Sequence, residues 1–253
     1  MPSERHICLE CLCDLPRTHF EIQSHNPMAD LYNAHIEASG ADSPETSLRS
    51  SHRCAALAVP PFTRSRATTV SGESAPETLQ AGMGYQYATA LFFYSGNYKK
   101  ISRALKYRRD FGCGEYFAGM LGDSLKGSAL YSDVDLVVPV PLHWTRRLSR
   151  GYNQAEVLAR EVAKRLGAPC NAGLLVRQKR TKTQTKVSAQ ERSGNVRGAF
   201  ALRGQPPAGV RHILLVDDVY TTGATLSACR DALSSALGPS VRISLATLAC
   251  VPH

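Results

Sequence analysis

Two adjacent carboxylates, Asp217 and Asp218, stand just ahead of a run of hydroxyl-bearing and small residues, Thr221-Thr222-Gly223-Ala224-Thr225. Such a run can cradle a phosphate. A helix N-terminus offers backbone N–H groups and partial positive charge, and a glycine lets the backbone approach closely. Thr221, Thr222 and Thr225 add hydroxyl donors. The two acids would repel that phosphate unless they face something else, such as sugar hydroxyls or a hydrated Mg²⁺. One ligand that carries a phosphate, a ribose and a metal satisfies the whole set. The elements that must hold it are legible on either side. Ile213-Leu214-Leu215-Val216 has the pattern of a strand buried on both faces, and Leu226 to Leu237 reads as a helix. An acid pair alone reads more plainly as a capped strand end; the ordered strand, acids, turn and helix favour the ligand site.

A second unit of the same build lies upstream. Val134 to Leu142 is an apolar strand that runs into Pro139-Val140-Pro141, and the loop beyond it carries Arg146 and Arg147. Gly151-Tyr152-Asn153-Gln154 then opens a helix with Ala155, Leu158, Ala159, Val162, Ala163 and Leu166 on one face. Asn153 is its expected N-cap, and Gly167 with Pro169 ends it. In an open α/β sheet, loops at the carboxyl ends of parallel strands converge on one crevice, so the two loops can hold opposite ends of one ligand. Around these units the pattern predicts a strand from Ala88 to Tyr94, a helix bearing Ile101, Ala104 and Leu105, and a helix over about Glu115 to Lys126. It also predicts a short strand at Leu174-Leu175-Val176 and a last, alternating strand from Val241 to Ala249.

A chain of 253 residues is long enough for one large domain or one domain with appendages. No apolar run approaches a membrane span and Met1 to His6 lacks a signal-peptide core, which points to a cytoplasmic protein. Eight scattered cysteines do not form a disulfide framework. The net charge of +9 is concentrated between Arg177 and Phe200, where seven cationic side chains, Lys182 among them, stand against only Glu191. That block suits a polyanion, pyrophosphate or nucleic acid, and charge does not choose between them. With Gln184 in it and nothing apolar to anchor it, the block is expected to be a mobile arm able to close over pyrophosphate. Residues 34–86 are rich in Ser, Thr, Ala, Pro and Gly and read as a flexible insertion. Cys8 and Cys11 form a lone Cys-x-x-Cys, open either as ordinary thiols or as half of a zinc site.

The spacing from Ile213 to Thr225 resembles the 5-phosphoribosyl-1-pyrophosphate (PRPP) signature of type I phosphoribosyltransferases. The order of further motifs is similar to the ComF-type phosphoribosyltransferases: Ala104-Leu105-Lys106-Tyr107-Arg108, Val138 to Leu142, Arg150 to Gln154, Thr183-Gln184, Glu191-Arg192 and Asn195 to Phe200. The resemblance covers roughly Ala88 to Ala249. Cys8 to Asn33, with Leu15-Pro16-Arg17-Thr18, also resembles that family's N-terminal region, though of its four-cysteine zinc ribbon only the second pair is present.

The resemblance implies an α/β, type I phosphoribosyltransferase fold: a parallel sheet flanked by helices with a small hood, preceded by a truncated zinc-ribbon-like N-terminus. The divisions are then 1–33, a partial zinc-ribbon-like region; 34–86, the insertion; and 87–253, the transferase domain. It implies that PRPP sets its 5-phosphate on Thr221, Thr222, Gly223, Ala224 and Thr225, and its ribose on Asp217 and Asp218. The same acids would hold Mg²⁺, through water, while Arg146, Arg147, Lys182 and Gln184 grip the pyrophosphate. Asp217, Asp218 and Lys182 are the catalytic candidates, and zinc at Cys8 and Cys11 stays open. The family's association with DNA uptake makes DNA or the competence helicase machinery candidate partners. The alternative is a non-catalytic PRPP-sensing or DNA-binding accessory protein. The acceptor has no readable code.

Overall fold

The computed structural model describes residues 12–40, 85–107, 111–142, 151–178 and 198–252. In chain order the elements are α1 (Pro27–Gly40), β1 (Ala88–Phe93), α2 (Tyr98–Tyr107), α3 (Phe111–Lys126), β2 (Leu136–Pro139), α4 (Gln154–Leu166), β3 (Leu175–Arg177), β4 (Phe200–Leu202), β5 (His212–Tyr220), α5 (Ala224–Leu237) and β6 (Arg242–Cys250), with 3-10 turns at Phe20–Ile22 and Ala129–Tyr131. Four strands pair in the order β1-β6-β5-β2, and every pairing is parallel. Parallel strands need helical crossovers, and those helices cover both faces of the sheet. Ile213, Leu215, Ile243 and Leu245 turn toward α1 and α5. Leu214, Val216, Ala246 and Leu248 turn toward α2, α3 and α4. This is the parallel sheet flanked by helices that the resemblance implies.

The long aliphatic run of β5 follows from its place inside the sheet. β6, expected to alternate, is instead buried at every position after Arg242, because it too lies between two strands and under two helical layers. Both sheet edges are closed by single segments. Phe93 N–H donates to Pro16 O (2.9 Å) outside β1, and Val137 N–H donates to Pro169 O (2.9 Å) outside β2. Covering an edge in this way leaves no open ladder for another chain.

The N-terminal segment belongs to this core. Met28, Ala29, Tyr32 and Ile36 of α1 share a cluster with β5 and β6, and the Tyr32 hydroxyl donates to Ile243 O at 3.0 Å. Asn33 clasps Gln86 from both sides, donating to its carbonyl at 2.8 Å and accepting from its N–H at 2.9 Å. The helix continues through residues 34–40, which the composition had assigned to the insertion. Of residues 34–38 Ile36 alone is buried, so a sparse apolar content suffices there. Cys8 and Cys11, and residues 41–84, lie outside the described residues.

On the other face α3 and α4 pack closely. A Cβ on Gly122 would lie 2.7 Å from Arg165 Cβ and 3.4 Å from the Val162 backbone, so glycine is what permits the approach. Arg165 is then held by Glu161 and Asp123, both at 2.8 Å. That packing aims the N-terminus of α4 at the carboxyl end of the sheet. The β3–β4 hairpin stands apart from the main sheet, antiparallel, and packs on α5. Among the described residues no helix is long and apolar enough to cross a membrane.

Candidate functional site

β5 carries Asp217 and Asp218 within its last four residues, and both are half-buried. Consecutive strand residues point to opposite faces, and the surroundings of these two differ accordingly. Burial, then the charge of Asp218, holds the phenol of Tyr98 on α2 well above its ordinary pKa. Burial, then the charge of Asp217, does the same to the Cys229 thiol on α5, with Arg177 acting the other way. Alternation along β5 sets the two carboxylates on opposite sides of the strand end. The backbone between them is fixed: Asp217 Oδ1 accepts from Asp218 N–H at 2.8 Å, and the Tyr98 hydroxyl donates to Asp218 O at 3.4 Å.

Beyond Tyr220 the chain bends through exposed Thr221 and Thr222 into α5, whose N-cap is Gly223. Gly223 has φ 75° and caps with no side chain, so no side-chain acceptor from that residue competes for the first helical N–H groups. A Cβ at this position would overlap the Tyr220 hydroxyl and lie 2.8 Å from its Cζ. Glycine is thus required twice, by conformation and by contact. Thr225 is the second residue of α5 rather than part of the loop.

The second unit meets the first here. Val140 N–H extends the β2–β5 ladder to Val216 O (2.9 Å), and Val140 O accepts from Asn153 Nδ2 (3.0 Å). Asn153 occupies the expected N-cap of α4 but spends its side chain on that carbonyl, tying the β2 exit to the helix. A cleft of about 140 Å³ results. It is lined by Val140, Pro141 and Leu142 after β2, Asn153, Gln154 and Ala155 at the start of α4, and Asp217, Asp218 and Thr225, with Arg177 from the hairpin. Arg177 closes β3 with its guanidinium 5.3 Å from the centre of the Phe200 ring, which orients the side chain.

Of the residues singled out from the sequence, Asp217, Asp218 and Thr225 line this cleft, and Gly223 and Ala224 form the turn into α5. Arg146, Arg147, Lys182 and Gln184 lie outside the described residues. The segments that carry them leave the described chain after Leu142 and after Gln178, beside the cleft lining. Arg177 was not singled out: it opens the basic block, and only the hairpin register separates it from the others. Tyr220 was missed because it follows the acids as one more apolar strand residue; its closeness to Gly223 has no local signature.

The donor set at the strand end fits a cation of the magnesium type in one particular way. Two carboxylates on opposite sides of a strand, one accepting a backbone N–H, do not make a protein cage. They suit an ion that keeps waters and takes its remaining oxygens from a ligand. Among the described residues no cluster of three or more His, Cys, Asp or Glu side chains stands ready for a metal.

No family model matches the chain. Competence protein F of Haemophilus influenzae is 39% identical over 94 residues, which are 37% of this chain and 41% of that protein. The match thus spans about two fifths of that relative's length. Competence protein ComFC of Streptococcus pneumoniae is 29% identical over 165 residues, 64% of this chain and 67% of that protein. Among solved structures, a glutamine PRPP amidotransferase from B. subtilis complexed with ADP and GMP aligns with TM-score 0.33 and 20% identity over 52% of this chain and 25% of its own.

Proposed function

We propose that this chain is a ComF-type, PRPP-binding phosphoribosyltransferase that transfers a phosphoribosyl group with loss of pyrophosphate and serves competence, as the names of its relatives suggest. The observation that carries this reading is the cleft in which two strand–loop–helix units meet, with both acids, Thr225 and Arg177 on one wall system. The turn at Gly223 and the N-terminus of α5 bind the 5-phosphate through backbone N–H groups and the threonine hydroxyls. Asp217 and Asp218, on either side of the strand end, accept from the ribose hydroxyls and fix the ring. Asp217 and Asp218 would hold Mg²⁺ through water, and the ion would supply positive charge for the pyrophosphate.

Arg177 supplies a fixed guanidinium for the pyrophosphate end, where bidentate contacts are strong and directional. Arg146, Arg147, Lys182 and Gln184, as the resemblance implies, complete that grip. Displacement at the anomeric carbon passes through an oxocarbenium-like state. The protein's contribution is therefore to align the nucleophile and stabilise departing negative charge, with no general base required for an amine or ring-nitrogen acceptor. Calorimetry with Mg-PRPP, followed by pyrophosphate release, tests the reading. The wild type binds and turns over, and Asp217→Asn with Asp218→Asn does neither; turnover in the double variant sinks it.

A further inference from the structure

A groove of about 680 Å³ lies between the β3–β4 hairpin, α5 and the second half of α1. Phe200 and Leu202 of β4, Ile36 of α1 and a row of alanines on α5, Ala228, Ala232 and Ala236, line it. The charged pair on its lining, Arg230 and Asp231, is joined at 3.0 Å. β4 also leaves one edge open to it. Gln178 N–H donates to Ala199 O at 2.8 Å, and Arg203 N–H donates to Leu174 O at 2.7 Å. With Val176 opposite Ala201, that alternation turns the N–H and C=O groups of Phe200 and Leu202 away from β3. Among the described residues no strand pairs with this side of β4. An unpaired edge beside an apolar groove is a template for one more extended segment.

We propose that Ala55-Ala56-Leu57-Ala58-Val59 of this same chain pairs with the open edge of β4 and covers the groove. The inference stands apart from the transferase reading. Residues 41–84 leave the described chain at Gly40, one turn beyond Ile36, and the chain resumes at Tyr85. Asn33 clasps Gln86, so both ends of that excursion meet α1 within about 10 Å of each other along its axis, beside the groove. Fourteen residues separate Gly40 from Ala55. They span up to ~50 Å when extended, against ~21 Å for the whole of α5. The small side chains of Ala55 to Val59 match a floor of alanines, and Pro60 and Pro61, which lack an N–H, end the pairing. A tethered segment also needs little affinity, because its local concentration is high. The alternatives fit less well. Residues 179–197, which end at the groove beside Gly198, carry six cationic side chains that would lose their hydration there. A second copy brings another net charge of +9, whereas residues 41–84 hold four carboxylates against four arginines. Docked in this way, the segment braces the hairpin that presents Arg177 to the cleft.

Amide hydrogen exchange in the full chain, resolved residue by residue by NMR, tests this. In the wild type Phe200 and Leu202 exchange as slowly as Ala201, whose N–H already faces Val176. Leu57 and Val59 fall on one face of a strand, so Leu57→Asp with Val59→Asp puts two charges against the groove. That variant speeds exchange at Phe200 and Leu202 at least tenfold and leaves Ala201, and Leu215 in β5, as they were. Ser47→Asp with Ser50→Asp adds the same charge elsewhere in residues 41–84 and changes none of the four. Fast exchange at Phe200 and Leu202 in the wild type overturns the proposal. So does slow exchange that survives Leu57→Asp with Val59→Asp, equal acceleration of Ala201, or the same loss in the serine variant. Protection that rises with protein concentration assigns the edge to a second copy and overturns it too.

Discussion

Gly223→Ala tests the geometry of the phosphate turn directly. At φ 75° an alanine pays the left-handed penalty, about 1–2 kcal/mol. Its Cβ would also overlap the Tyr220 hydroxyl and approach Cζ to 2.8 Å and Cε2 to 3.2 Å. Tyr220 is only 1% exposed, so the ring cannot swing into solvent, and forcing it aside costs roughly 1–3 kcal/mol as overpacking. Together these give about 2–5 kcal/mol, which for a domain of this size lowers the melting temperature by roughly 4–20 °C. Mg-PRPP affinity falls at least tenfold, since the turn itself is displaced. Tyr220→Phe alone is neutral to about 1 kcal/mol stabilising, because the hydroxyl it removes has no protein partner. In the double variant the hydroxyl overlap is gone but the ring contact and the backbone strain remain, so rescue is partial. Denaturation and calorimetry on the four proteins of that cycle read each part. A Gly223→Ala protein that melts within a degree of wild type and binds Mg-PRPP equally well would refute the reasoning.

The other expectations are shorter. Asp218→Asn, which keeps the shape and removes the charge, weakens Mg-PRPP binding by roughly 10- to 100-fold, the range of one charge-assisted hydrogen bond; an unchanged Kd by calorimetry removes Asp218 from the site. Arg177→Ala raises the inhibition constant of pyrophosphate by a similar factor of roughly 10–100, and Arg177→Lys restores only part of it because the bidentate contact is lost. Equal inhibition of all three proteins by pyrophosphate would place Arg177 outside the grip. At the opposite end of the sheet, His212 is buried, with Nδ1 2.9 Å from Asp133 Oδ1 and Nε2 2.9 Å from Ser244 Oγ. Burial first, then the charge of Arg242, lowers its pKa below the ordinary 6.5. The unfolded chain therefore takes up a proton before the folded one, and stability is complete above about pH 6.5 and declines as pH falls below it. Asp133, which burial would raise but which His212 and Arg242 together hold below its ordinary value, adds a second loss at more acid pH. Urea midpoints at pH 7.5 and 5.5 differ in that direction, and His212→Gln flattens the difference; a pH-independent midpoint in the wild type contradicts it.

What could be read beforehand was what one stretch of chain says about itself. Ile213 to Val216, Val137 and Val138, and the stripe from Ala155 to Leu166 each declare an element through their own period, and the sheet with its helical layers follows from them. The turn at Gly223 was legible for the same reason, since acids, hydroxyls and glycine lie within nine residues. β6 was misjudged because alternation describes a strand with one wet face, and whether a face is wet depends on neighbours elsewhere in the sequence. The extent of α1 was misjudged likewise. Residues 34–40 look like linker by composition, yet Asn33, Gln86 and Ile243 hold that helix to the sheet through partners 53 and more residues away.

The same distinction explains which site residues stayed hidden, and it bears on the chemistry. In the proposed reading, phosphate and ribose recognition draws on one contiguous turn, so its signature survives in any reading of the chain. Pyrophosphate recognition draws on separate elements. Arg177 reaches the cleft only because β3 pairs with β4, and an apolar cavity lies at the same edge of the sheet only because Phe20, Phe93 and Val251 end there. A single residue joins the two kinds of site. Tyr220 belongs to the contiguous motif by position and to the assembled cavity by contact, with its hydroxyl on the glycine of the phosphate turn.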